Sequence, residues 1–206
     1  MSTAIQSKML SHASSCFRCW LKDCKCALLF PSDSRERQQF PAICLYLHHK
    51  ELFSQTNTGH LIHDSSVFIA GDFNSENRLV HMIRQSKNPF VLFPAEAGHH
   101  DPTAAAAPDL LVVPDGTWSK ATGLFHRLRS LVLPRPLPAL GLYDLRASHG
   151  FRPQTQAHRI STIEAVSMVL SEQFGQAGRS RRNLDNLKAW KQLHPDLMKA
   201  KPAAAL

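Results

Sequence analysis

The chain lacks any apolar run approaching the roughly 20 residues that cross a bilayer as a helix, so no membrane-spanning helix is expected. Its opening, MSTAIQSKMLSHASS, has no apolar stretch of the kind that forms a secretory leader, and a cytoplasmic location is the expectation. Neither a G-x-G-x-x-G fingerprint nor a Walker loop occurs, which removes two common glycine-rich cradles for nucleotide phosphates. No internal repeat is expected, which argues against a solenoid. Acidic residues are also short: 16 Asp plus Glu stand against 24 Lys plus Arg, a formal net charge of +8. Such a balance attracts polyanions, nucleic acid first among them, unless the charge is only a scattered solubilising coat.

What is present is the pattern of an α/β protein. At 206 residues the chain can bury a core without disulfide support. ICLYLH (43–48), SVFIAG (66–71), FVLFP (90–94) and LLVVP (110–114) read as strands, with a shorter one near Leu140 to Leu142. Amphipathic stretches alternate with them. NSENRLVHMIRQSK (74–87) puts Leu79, Val80 and Ile83 on one face, with Ser75 as the N-cap. TWSKATGLFHRLRS (117–130) ends in basic residues that suit the helix dipole. STIEAVSMVLSEQF (161–174) opens on a Ser161–Glu164 capping box and carries the stripe Ile163, Val166, Val169 and Leu170. After GRSRRN, a last helix is expected around NLDNLKAWKQL. Alternation of this kind predicts a mostly parallel sheet, whose ligands sit beyond the C-terminal strand ends. The segments HHKE, PAEAG and PDGTW leave strands there and are expected to converge.

Four of the five cysteines, Cys16, Cys19, Cys24 and Cys26, form C-x2-C-x4-C-x-C. Zinc takes four thiolates in a tetrahedron, and two tight loops can each deliver two. The spacing predicts a structural zinc site with no open position. An iron–sulfur cluster accepts the same ligands, and four reduced thiols in an arm are the plain alternative. Cys44, inside an expected strand, reads as a buried thiol. His48–His49 and His99–His100 are adjacent pairs whose rings would point apart on a strand, so no shared metal is expected there. The organisation expected is an arm with the four-cysteine zinc-binding module over 1–40, an α/β domain over 41–175 and a basic extension over 176–206.

The tetrapeptide Asp115-Gly116-Thr117-Trp118 does not stand alone. Before it come the cysteine cluster, Thr56-Asn57-Thr58-Gly59 and Val91-Leu92-Phe93-Pro94; after it come Tyr143-Asp144-Leu145-Arg146 and Thr162-Ile163-Glu164. In that order the set resembles the DTW domain family, the tRNA-uridine aminocarboxypropyltransferases. Three places depart from the family pattern. Pro114 precedes the signature, His49-Lys50-Glu51 is a looser form of His-Pro-x-Glu, and His60 stands where an Arg often follows Asn-Thr-Gly. The resemblance implies a SPOUT-like α/β fold with a knotted C-terminal half. It also implies S-adenosylmethionine as co-substrate and transfer of its 3-amino-3-carboxypropyl group to N3 of a tRNA uridine, releasing methylthioadenosine. The alternatives are a SPOUT-like RNA methyltransferase and a non-enzymatic, zinc-stabilised RNA-binding module. A monomer with tRNA as partner is expected.

That chemistry assigns roles. Alkylation at N3 needs a group to receive the imide proton, and Asp115 is the first candidate; its other reading is N-cap of the following helix. Glu164 is the second catalytic candidate, or serves the capping box alone. Phe93, Pro94 and Leu133 can form an apolar slot for adenine. Gly116 would let the backbone approach the ligand. Thr117 and Thr162 are cofactor-binding candidates, Thr117 through its hydroxyl. Trp118 would stack on adenine or a flipped base, or fill the core, the commoner fate of Trp. Asn57 and Thr58 are expected at the substrate, with Arg146. Further cations for the tRNA backbone are Arg127, Arg129, Arg135, Arg152, Arg179, Arg181 and Arg182, with a solvated face as the alternative for each.

Overall fold

The computed structural model describes residues 3–30, 41–93, 108–141 and 161–195. Among them, five parallel strands form one sheet in the order β2-β1-β4-β3-β5: β1 (Ala42–Leu47), β2 (Ser65–Ile69), β3 (Pro89–Leu92), β4 (Leu110–Asp115) and β5 (Ala139–Leu140). The helices are α1 (Thr3–Ser11), α2 (Cys26–Leu29), α3 (Phe73–Gln85), α4 (Trp118–Val132), α5 (Thr162–Met168) and α6 (Ala177–Leu193). The near-continuous apolar runs of β1 and β4 are what a parallel sheet covered on both faces requires.

Strand parity divides the core into two layers. Cys44, Tyr46, Val91, Leu110 and Val112 meet Leu79 and Ile83 of α3 and Leu124, Phe125 and Leu128 of α4. Ile43, Leu45, Leu47, Leu111 and Val113 face the other way. They meet Cys19, Trp20 and Leu29, the β1–β2 connection through Leu52, Phe53, Leu61 and Ile62, the α5 stripe, and Leu187 and Trp190 of α6. Cys44 is fully buried, as expected, and burial pushes its thiol up to about 12.

Several local expectations change. Asp72, not Ser75, caps α3: its carboxylate accepts from the Ser75 N–H at 3.1 Å, while Ser75 Oγ accepts from the Ile69 N–H at 2.7 Å. The helix expected over 161–174 is α-helical only to Met168 and continues as a π-helical turn over Val169–Gln173. The last helix starts earlier than expected and takes in GRSRR. Within that first turn Arg179 is buried and donates to the Pro41 carbonyl and to Gln176 Oε1. Arg135 is likewise engaged, donating to the Ile83, Arg84 and Ser86 carbonyls at the end of α3. Pro94, His99, His100, Tyr143-Asp144-Leu145-Arg146 and Arg152 lie outside the described residues.

The connection after β1 runs over one face of the sheet and α4, after β4, covers the other. Adjacent parallel strands whose connections diverge open a crevice at their C-terminal ends. Here that crevice lies between His48 and Asp115, whose backbones are still paired (His48 N–H to Asp115 carbonyl, 3.0 Å).

Candidate functional site

Asp115 is the last residue of β4 and shares parity with Leu111 and Val113. Its side chain therefore points to the α5 face, away from α4. It does not cap α4. Thr117 holds the N-cap position, without a side-chain cap bond. The Asp115 carboxylate instead joins three segments distant in sequence. Asn57 Nδ2 donates to Oδ2 at 2.5 Å, and Thr162 Oγ1 donates to Oδ1 at 2.6 Å. Asp115 is only 2% exposed. Two donors on two oxygens suit an ionised, acceptor-only carboxylate.

Asn57 is itself fixed. Its Oδ1 accepts from the Gly59 N–H at 3.0 Å and from the His60 N–H at 3.4 Å, which orients the amide so that Nδ2 faces Asp115. Gly59 is required for space. A Cβ there would overlap Asp115 Oδ2 and come within 2.9 Å of Leu45 Cδ1. Gly59→Ala is expected to cost about 1–3 kcal/mol by overpacking and to push the Asp115 carboxylate off Asn57. Urea unfolding read beside a crystal structure of the variant checks both effects. Gly116 is tight for a related reason, since its Cβ would fall 2.9 Å from Lys120 Cβ.

Glu164 forms the expected capping box. Its Oε2 accepts from the Ser161 N–H at 2.9 Å and from Ser161 Oγ at 2.5 Å. Its Oε1 is buried without a partner among the described residues, an acceptor left over after the capping role is complete. Thr58 is buried next to Asn57. Trp118 is 54% exposed rather than in the core. Its ring stacks loosely on Phe93 (centroids 6.0 Å apart, planes 24° apart), and Phe93 stacks on Phe125 at 4.4 Å. Leu133 follows the far end of α4, roughly 22 Å of helix from Trp118 at 1.5 Å per residue, so it is not brought to this edge of the sheet.

The four cysteine sulfurs lie within 4.8 Å of one another, with Cys16 Sγ 3.6 Å from both Cys24 Sγ and Cys26 Sγ. A tetrahedron of 2.3 Å zinc–sulfur bonds has edges of about 3.8 Å, so the donor set fits zinc in number, type and spacing. The thiols do not shift together: burial would raise Cys16, but the Cys19 and Arg18 N–H groups and the neighbouring thiols outweigh it and bring it to about 6, whereas burial pushes Cys19 and Cys26 up, so the zinc fit rests on donor number and spacing.

The cluster is coupled to Asn57 through His60. The imidazole is stacked on Trp20 (centroids 4.1 Å apart) and edge-on to Trp190 (4.8 Å), with neither ring nitrogen hydrogen-bonded among the described residues. Burial drives its pKa from 6.5 to about 3. The unfolded chain therefore binds the extra proton first, and stability is lost as pH falls from about 6.5 toward 3. His60→Phe is expected to remove about 2 kcal/mol of the stability difference between pH 7 and pH 5, read by denaturant unfolding at the two pH values.

Some features escaped the sequence. Glu76 is buried beneath the α4 face. It accepts from Tyr46 Oη at 2.5 Å, from the Gly71 N–H at 2.9 Å and from Arg127 Nε and Nη2 at 2.7 Å each. Burial opposes ionisation there, but these donors hold the carboxyl below its ordinary value. The signal was available: Glu76 falls on the Leu79–Ile83 stripe of α3, where a charge needs a partner. The His48 and His49 rings stack at 4.5 Å instead of pointing apart, because the strand ends at Leu47 and a 3-10 turn begins at His49.

No solved structure matches the chain. The family model of the DTW domain matches residues 13–194, from ahead of the cysteine cluster to just past α6. That match covers most of the chain and points to a role in tRNA modification: the chain belongs to the DTW domain family.

Proposed function

We propose that the protein transfers the 3-amino-3-carboxypropyl group of S-adenosylmethionine to N3 of a tRNA uridine. The observation that carries this reading is the hub at the crevice, where Asp115 of the signature holds Asn57 and Thr162 of two other family segments. S-adenosylmethionine supplies an electrophilic γ-carbon: N3 forms the new C–N bond, the C–S bond breaks with its electron pair kept by sulfur, and methylthioadenosine leaves.

The chain's own groups have definable tasks. Asp115, acceptor-only and fixed by Asn57 and Thr162, receives the N3 proton directly or through one water as the bond forms. Glu164 offers Oε1 to a donor such as the ammonium of the transferred group. Trp118, with Phe93 behind it, offers an exposed ring face to adenine or to the target base. Thr117 and Gly116 line the turn between them. Pro94 keeps its place in the apolar slot that adenine needs, and Arg146 the tRNA role suggested by its place in the family's Tyr-x-Leu-Arg element. Cys16, Cys19, Cys24 and Cys26 would hold a structural zinc, which would brace the segment whose Trp20 stacks on His60.

The small product tests the reaction type. Incubation with S-adenosylmethionine and an unmodified tRNA transcript is expected to release methylthioadenosine. Release of S-adenosylhomocysteine would favour a methyltransferase, and release of neither would favour an RNA-binding module.

A further inference from the structure

A pocket of about 310 Å³ opens at the same crevice on the other side of β4. It is lined by His48 and His49 after β1, Gly71 after β2, and Lys120, Leu124 and Arg127 of α4. The Asp115 side chain points to the opposite face, so the two sites are separated by the turn at Gly116. The pocket volume is at the small end of ligand sites, enough for one nucleotide unit rather than an extended cofactor.

Every polar side chain among these residues carries nitrogen. No carboxylate lines the pocket among the described residues. Two acids lie just outside and each holds one cation. Arg127 is committed, both of its contacting nitrogens bonded to Glu76, which Tyr46 and the Gly71 N–H fix in turn. Lys120 is held more lightly, by one contact from Nζ to Glu51 Oε1 at 2.6 Å, and its side chain is 29% exposed. An ammonium has three donors, so two remain for another acceptor. The stacked His48 and His49 add two imidazoles to the same wall.

We propose that this pocket binds a phosphodiester of the RNA strand, with Lys120 as the cation that engages it and Glu51 as the internal anion it displaces. The idea rests on the tRNA reading above. A base drawn to the Asp115 side would leave the adjoining backbone to run over the turn at Gly116 and onto the α4 side. Glu51 then has a second effect: in the free protein it holds Lys120 in place, and it lowers the charge that incoming RNA meets.

The test uses two variants of the full, metal-loaded chain whose effects must have opposite signs. Lys120→Gln is expected to weaken binding of an unmodified tRNA transcript about ten-fold and to reduce the slope of log K against log salt by about 0.7–0.9, the loss of one phosphate contact. Glu51→Gln is expected to tighten the same binding about three-fold, because it frees the ammonium. If the ion pair is only structural, both variants will weaken binding together or neither will change it; either result overturns the subsite while tRNA binding by the parent chain preserves the tRNA reading. A parent chain that binds inorganic pyrophosphate through Lys120 but binds no tRNA would overturn the RNA assignment, and one that binds neither would overturn both.

Discussion

Asp115→Asn is expected to lower the transfer rate by about 100-fold or more and to destabilise the fold as well. The rate falls because an amide cannot receive the N3 proton, a contribution of roughly 10²–10⁴ for a placed general base. The stability falls because the charge on the acceptor is lost: the amide oxygen can still accept from Asn57 Nδ2, but the Thr162 hydroxyl must turn to accept from the new NH2. Exchanging two charge-assisted bonds for neutral ones costs about 1–2 kcal/mol. A single variant therefore confounds chemistry with folding. The exchange Asn57→Asp with Asp115→Asn separates them. The amide at 115 can then donate to the carboxylate at 57, which still accepts from the Gly59 and His60 N–H groups, while Thr162 keeps an acceptor. Unfolding free energy should return toward that of the parent chain while the rate stays low. Recovery of both would mean that Asp115 only holds the segments together.

Removing metal from the cysteine cluster is expected to have the largest effect on stability. Cys19, Trp20 and Leu29 belong to the apolar layer on the α5 face, so loosening residues 16–26 would open that layer and release the Trp20 stack from His60. Structural zinc sites hold their metal with apparent free energies of about 10–16 kcal/mol near neutral pH, and that energy is folding energy. Chelation, or Cys19→Ser, should lower the melting temperature by about 8–16 °C, taking a loss of about 4 kcal/mol at roughly 2–4 °C per kcal/mol for a chain of this size. One zinc per freshly purified chain is the accompanying result. Metal-free protein with an unchanged melting temperature would remove the zinc assignment.

The same effects show what could be read from the residues and what could not. The parallel sheet was legible, because AICLYL and LLVVPD are apolar almost without interruption and helical stripes alternate with the strands. The capping box at Ser161 was legible because it is local. Asp115 was recognisable as a site residue, but its local reading as an N-cap fails because β4 runs through it and strand parity turns its side chain toward α5. Its partners Asn57 and Thr162 lie 58 and 47 residues away, beyond any spacing rule. Trp118 would ordinarily be assigned to the core; it stays half exposed because Phe93 and Phe125 already fill the space beneath it. The arginines show the limit of charge counting. Arg179 and Arg135 satisfy backbone carbonyls and Arg127 satisfies Glu76, so a basic composition overstates the surface available to RNA.

The central claim is that Asp115 and its partners serve aminocarboxypropyl transfer to a tRNA uridine. Mass spectrometry of nucleosides from a tRNA transcript treated with the protein and S-adenosylmethionine tests it most directly. The account predicts a uridine carrying the added mass of one 3-amino-3-carboxypropyl group, formed by the parent chain and strongly reduced with Asp115→Asn. A uridine carrying a methyl mass, or a nucleoside profile that the protein leaves unchanged, would contradict it.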